Sequence, residues 1–285
     1  LFTILLILAA AGQAFALELP LSADSHVVGE NTMLVATYED TFVKIARAHD
    51  LGFDELIQAN PDVDPWIPGE GTEIVLPTQF VLPQAPRRGI VINLPELRLY
   101  YYPDGDSGRV ITHPISIGRM EWRTPLGLTE IYSKAVNPTW YPPQSVRDEH
   151  AEQGRPLEAV VPPGPDNPLG KHALRLALPG YLIHGTNMPA GVGMRVTHGC
   201  IRMFPEDIEA LFDDVPVGTP VRIVNQPFKL GRNGAGFYLE AHPLLDEELQ
   251  DDEVFIMTEL TRAYVAATEE GQETASTGQW QNAWC

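Results

Sequence analysis

Ile90-Val91-Ile92-Asn93-Leu94-Pro95-Glu96-Leu97-Arg98-Leu99-Tyr100-Tyr101-Tyr102 holds two short runs of aliphatic and aromatic residues parted by Pro-Glu. Runs of this kind around a turn signal predict a β-hairpin. Outward from it, Val110 to Ile117 reads as a third strand. Thr129 to Ala135, Ala173 to Leu178, Tyr181 to Ile183 and Val221 to Val224 read as further strands. Pro205 to Phe212 is the clear helix, with Pro205 in its first turn and Glu206 and Asp207 near the positive end of its dipole. Many strands and one helix predict a mostly β domain from about 89 to 225. The Pro- and Gly-rich stretch from Asn137 to Leu169 is too long for a plain connection and reads as a lid or binding loop.

Upstream, residues 32–82 form a smaller unit. Phe42, Ile45, Ala46 and His49 recur at the spacing of one helix face, with Asp40 or Thr41 as the cap. A second short helix fits Asp54 to Ala59, stopped by Asn60-Pro61. Flanking strands at Met33 to Thr37 and Thr72 to Pro77 complete a βααβ order. At Asp40-Thr41-Phe42, Ala59-Asn60-Pro61, Ile67-Pro68-Gly69 and Ile74-Val75-Leu76-Pro77 this unit resembles a LysM module, which implies binding to peptidoglycan glycan. Glu39 stands where that family usually has Gly, so a structural spacer is the competing expectation. Pro-rich residues 83–88 read as the linker to the β domain.

The first sixteen residues, LFTILLILAAAGQAFA, carry no charge, and Ala14-Phe15-Ala16 fits a small-x-small cleavage pattern. The apolar run is short for a membrane span. These residues predict a secretory signal, maturation near Leu17, and an exported protein. The formal charge of −19 argues against nucleic acid, whose phosphates require clustered Lys and Arg. From Leu239 to Cys285 eleven Asp and Glu stand against one Arg, which reads as a solvated, partly helical acidic extension over 239–285. A hydrophobic fraction of 44% is that of a globular domain.

Only two cysteines occur, Cys200 and Cys285, too few for a disulfide framework. Cys200 lies in Tyr181–Met203, YLIHGTNMPAGVGMRVTHGCIRM, which also holds two His-Gly pairs. His184 falls at the end of an apolar run, Gly191 and Gly193 permit a turn, and Thr197 to Arg202 returns toward it. A Cys–His pair suits nucleophilic acyl transfer: an imidazole can draw a thiol toward thiolate, then deprotonate an incoming amine. Gly199 lets the backbone approach a substrate and orient N–H donors toward an oxyanion. Arg202, two residues beyond Cys200, shares its face on a strand and is a candidate carboxylate anchor. Spacing alone does not separate His184 from His198 as the base.

His184-Gly185-Thr186-Asn187 followed by Thr197-His198-Gly199-Cys200-Ile201-Arg202 resembles the signature of L,D-transpeptidase (YkuD-like) catalytic domains. Thr124-Pro125-Leu126-Gly127, Pro162 to Gly170 and Val217 to Val221 agree with it. The resemblance is strongest to the periplasmic subgroup with a LysM unit ahead of the catalytic domain. It implies a sandwich- or barrel-like β fold and no cofactor or metal. Cys200 is then the nucleophile on the diaminopimelate carbonyl of a peptidoglycan tetrapeptide, with D-Ala leaving. The base is His184, held by the backbone carbonyl of Gly185. His198 supports the site, the backbone at His198 to Cys200 forms the oxyanion hole, and Thr197 and Arg202 meet the substrate. The acceptor is a second stem, giving a 3-3 cross-link, or a lipoprotein lysine. Three other readings stand beside this one: a hydrolase on the same scaffold, a non-catalytic wall-binding protein, and a zinc site of His184, His198 and Cys200.

Overall fold

The computed structural model describes residues 16–105, 108–234, 236–245, 260–261, 263–265 and 280–282. The apolar segment 1–15, most of the acidic extension and Cys285 lie outside the described residues. The chain opens with β1 (Leu17–Leu21), β2 (Val27–Gly29) and β3 (Thr32–Val35). Helices α1 (Phe42–Ala48) and α2 (Phe53–Ala59) follow, then β4 (Glu73–Leu76) and β5 (Gln79–Val81). Strands β6 (Gly89–Asn93), β7 (Arg98–Tyr102), β8 (Gly108–Pro114), β9 (Ile117–Gly118) and β10 (Gly127–Val136) lead to α3 (Gln144–Glu152). Next come β11 (His172–Leu176), β12 (Leu182–His184), β13 (Arg195–Thr197), β14 (Ile201–Arg202) and α4 (Pro205–Asp214). The last strands are β15 (Pro220–Val224), β16 (Phe228–Asn233), β17 (Gly236–Ala241) and β18 (Trp280–Asn282).

The fold is mostly β. Nine strands form one sheet in the order β1-β8-β7-β6-β15-β10-β11-β12-β14. Neighbours run antiparallel except β6–β15 and β12–β14, which are parallel. The hairpin at 90–102 forms in the register Ile90↔Tyr101 and Ile92↔Leu99. Every residue of β6 and β7 is buried, so both faces of the sheet are covered here. Alternation sorts them into two cores. Ile90, Ile92, Leu99 and Tyr101 join Ile183, Ile201, Ile208 and Leu211 on one face. Val91, Tyr100 and Tyr102 join Phe42, Ile45, Leu56 and Ile74 on the other. The small N-terminal unit therefore packs on the outer face of the sheet. Arg98 reinforces the contact from within: its guanidinium is fully buried, 2.6 Å from Glu55 of α2.

In the N-terminal unit β3 and β4 pair antiparallel around α1 and α2, in the expected element order. Thr41 caps α1, its hydroxyl accepting from Lys44 N. Three features depart from the sequence reading. The strand expected at Val110 to Ile117 breaks after Pro114, which has no N–H for a ladder. Ser116 then exchanges backbone hydrogen bonds with Arg202, and Ile117–Gly118 pairs with β13 instead. The long loop 137–169 contains a helix, α3, and a bridge between Trp140 and Val161. The start of the acidic extension is strand β17, in which Glu240 is fully buried beside Lys229 rather than solvated. No helix among the described residues is long and apolar enough to cross a membrane.

Candidate active site

The segment 181–203 runs up β12, out through a loop, and back along β14. The parallel register Ile183↔Ile201 and His184↔Arg202 brings the end of β12 beside the residues that follow Cys200. The loop between them leans on the N-terminal unit. Phe53 N and Asp54 N at the start of α2 donate to Val192 O and Gly193 O at 3.4 and 3.2 Å, satisfying helix N–H groups that have no partner within the helix. Gly193 has φ +84°, and a Cβ there would lie 2.3 Å from Gly52 Cα, so only glycine fits.

His184 is buried, with Nδ1 2.6 Å from Gly185 O. That carbonyl can only accept, so Nδ1 carries the proton and Nε2 is left with a free lone pair. Burial, then the charge of Arg202, push the His184 pKa down to about 4. Cys200 is a free thiol, and burial raises its pKa; a hydrogen bond with the Leu182 backbone and the charge of Arg202 offset this in part. Its Sγ has a weak 3.6 Å contact to Gly180 O. The resting pair is thus a thiol and a neutral imidazole, not the thiolate expected from the pairing alone, because burial disfavours both charges. Arg202 is itself largely buried, and its Nε has no hydrogen-bond partner.

The turn before Cys200 is braced from inside. Thr197 Oγ1 donates to Cys200 O at 2.6 Å and accepts from Gly199 N at 3.2 Å. Thr124 Oγ1 donates to Gly199 O at 2.9 Å and accepts from Gly118 N at 3.1 Å. Gly199 has φ +97°, with Tyr181 Cε1 3.0 Å from where a Cβ would be. Thr197, expected to meet substrate, lines the cavity while its hydroxyl holds the turn. The Gly199 N–H, expected at the oxyanion hole, points to Thr197.

His198 lines the same cavity as Cys200, with its ring held from the α3 side. Its Nε2 lies 3.0 Å from Glu149 Oε2 on α3 and 3.2 Å from Arg119 Nη2. Arg119 holds the other Glu149 oxygen at 2.6 Å. The Arg119 hydrogen bond, opposed by some burial and aided by His198, draws the Glu149 pKa down to about 2. The sequence reading missed both Glu149 and Arg119; the one signal was the length of the 137–169 excursion. Buried Asn167 holds that excursion in shape, its side-chain amide donating to Pro138 O at 2.9 Å and Pro162 O at 3.1 Å.

Cys200, His184 and Arg202 line a cavity of about 900 Å³ with Trp122, Trp140 and Tyr141. His184, His198 and Cys200 do not bring three ligand atoms within 4.8 Å of one another, so the zinc arrangement is not assembled. Among the described residues two other groups do, Asp50/His113/Asp207 and Glu96/Glu240/His242. In the second, Lys229 Nζ already sits 2.7 Å from Glu96 and 2.8 Å from Glu240, where a cation would go.

A mostly β domain here sets a free thiol and a neutral imidazole in the lining of one cavity, side chains that acyl transfer through a thiol can use. The family described as YkuD, L,D-transpeptidase catalytic domain, matches residues 87–223. Over 276 residues the chain is 43% identical to a probable L,D-transpeptidase of Escherichia coli K12, YcfS, covering 92% of this chain and 86% of that one. It is 42% identical over 243 residues to a second from the same organism, YbiS, covering 83% and 79%. A solved L,D-transpeptidase from Mycobacterium smegmatis is similar at 20% identity with a TM-score of 0.39, over 52% of this chain and 62% of that one. The chain belongs to the L,D-transpeptidase family.

Proposed function

We propose that this is an exported, periplasmic peptidoglycan L,D-transpeptidase that uses Cys200 as nucleophile and His184 as general base and acid. The observation that carries the reading is the 2.6 Å His184 Nδ1–H···O=C Gly185 bond, which leaves Nε2 as the one basic nitrogen of a ring lining the same cavity as Cys200. The thiol proton passes to Nε2 as Sγ attacks the diaminopimelate carbonyl of a tetrapeptide stem. The C–N bond to D-Ala breaks, and the imidazolium returns its proton to the departing amine. The resulting thioester is attacked by an acceptor amine, which gives a proton to Nε2, and Cys200 leaves and is reprotonated. With the Gly199 N–H given to Thr197, the Cys200 N–H of the same turn is the backbone donor left for each oxyanion. Arg202, whose side chain lines the cavity, is suited to a stem carboxylate.

Within this reading, residues 32–82 form a LysM-like glycan-binding unit, 83–88 a linker, 89–225 the catalytic domain and 239–285 an acidic extension. Exposed Tyr38, Trp66 and Ile67 on the small unit offer flat apolar surface of the kind sugars stack on. The acceptor is a second stem peptide or a lipoprotein lysine.

Incubation with purified disaccharide tetrapeptide, followed by mass spectrometry, tests the reaction. Loss of D-Ala with a cross-linked dimer or amine-exchange product is expected. Free tripeptide alone would make the protein a hydrolase, and no product with either water or amines would leave only a wall-binding role.

A further inference from the structure

Asp50, His113 and Asp207 meet where four parts of the chain converge: the α1–α2 connection, β8, α4 and the start of β1. All three side chains are at most 2% exposed. His113 Nδ1 lies 3.6 Å from Asp50 Oδ2 and 3.7 Å from Asp207 Oδ1, too far for good hydrogen bonds. Asp50 Oδ1 and Asp207 Oδ2 are buried with no hydrogen-bond partner. The nearby cations are already engaged: Arg98 pairs with Glu55 at 2.6 Å, and Arg47 with Glu206 at 2.7 Å. Two buried carboxylates thus face one imidazole, and a buried charge without a counter-charge is costly.

One further donor enters the cluster. Leu17 N lies 2.8 Å from Asp50 Oδ2. Leu17 is also the first residue of β1, paired opposite Thr112, the neighbour of His113. It directly follows Ala14-Phe15-Ala16, the small-x-small cleavage pattern. The predicted cut, the start of the edge strand and the buried acids coincide at a single nitrogen.

We infer that cleavage after Ala16 frees an α-ammonium on Leu17, and that Asp50 and Asp207 with His113 form its receptor site. Hydrolysis of the Ala16–Leu17 amide by an export-processing protease consumes one water. The carboxylate leaves with Ala16, and the Leu17 nitrogen becomes an ammonium at neutral pH. Where the peptide N–H offered one donor, the ammonium offers three and a full positive charge, matching two carboxylates against two cations. The electrostatics agree. Burial opposes charge on His113, but Asp207 and Asp50 hold its pKa up at about 10. Burial and the charge of Asp50 push Asp207 up to about 7, so without the ammonium its carboxyl tends to hold a proton in place of a second cation. The ion pair then fastens β1 and the N-terminal unit to the sheet only in the processed chain.

The inference rests on the export reading but not on the chemistry of Cys200. The protein is purified from an exporting host and its N-terminus read by intact mass; Leu17 is expected, and any other first residue overturns the inference. The same Leu17-starting chain, also obtainable by removal of a leader tag, is labelled with acetic anhydride at pH 8. Its α-amine is expected to react at least tenfold more slowly folded than in urea, and equal rates would overturn the receptor site. Thermal melts complete the test. One added glycine before Leu17, or Asp50→Asn, is expected to lower the midpoint, while the exposed Asp24→Asn leaves it in place. A Leu17 chain and a glycine-extended chain that melt together would sink the idea, even if Asp50→Asn fails to fold.

Discussion

Two buried polar clusters of this protein are built on opposite plans. Around Lys229, every group is closed: Nζ binds Glu96 at 2.7 Å and Glu240 at 2.8 Å, Glu240 accepts from His242 at 2.7 Å and from Val81 N at 2.5 Å, and Tyr100 donates to Glu96. Around Cys200, groups are left open: a thiol with one weak contact, an imidazole with a free lone pair, an arginine Nε with no partner. Closed networks hold a fold, since any buried donor or acceptor left over is costly. Open ones persist where another molecule is to complete them. On the proposed function, the first cluster serves stability and the second serves chemistry.

The largest effect belongs to Cys200→Ala, which should abolish acyl-enzyme formation; the intact-mass shift with a carbapenem should vanish, and a surviving shift would refute the assigned nucleophile. Next, His184→Gln should slow acylation by roughly 10²–10⁴-fold without unfolding the protein, the range for a lost general base. Lys229→Met should do the reverse. Removing the ammonium strands two buried carboxylates, costing about 3–5 kcal/mol in denaturant melts, while the acylation rate of the folded fraction is unchanged. A Lys229→Met protein with native stability would break the comparison. Arg202→Lys should raise KM for tetrapeptide by roughly tenfold or more, with a smaller change in kcat, because one charge-assisted hydrogen bond is worth about 1.5–3 kcal/mol. The smallest effect is a displaced pH limb. His184 must be neutral to take the thiol proton, and its pKa is pushed down to about 4. Acylation should therefore hold from neutral pH to about 5 and fall only near 4; an acid limb near 6.5 would show that the imidazole is more solvated than its burial indicates.

Much of the site was legible before folding. The spacing of His184, Gly193 and Cys200 implied a loop that leaves and returns, and β12 and β14 pair as that requires. The hairpin at 90–102 was legible because continuous apolar runs around a Pro-Glu turn signal are local. Helix α3 was not: Gln144–Glu152 is polar, with Val146 its one buried residue, and sits among prolines. The thiol–imidazole charge state was not legible either. A pairing argument favours thiolate, and only burial reverses it. Thr197 shows the same limit at smaller scale, since nothing local in the sequence shows that its hydroxyl bonds Cys200 O at 2.6 Å.

The sequence by itself determined the mostly β character and the family, because each is carried by residues close together in the chain. The tertiary structure alone decided what meets across long separations. Glu149 reaches His198, Glu240 reaches Lys229 and Glu96, and Leu17 reaches Asp50. Periodicity and motifs report which face a residue turns to, not which distant group waits there. Charge balance in a buried site is a property of the whole set of neighbours, so it is settled only when the sheet has closed around them.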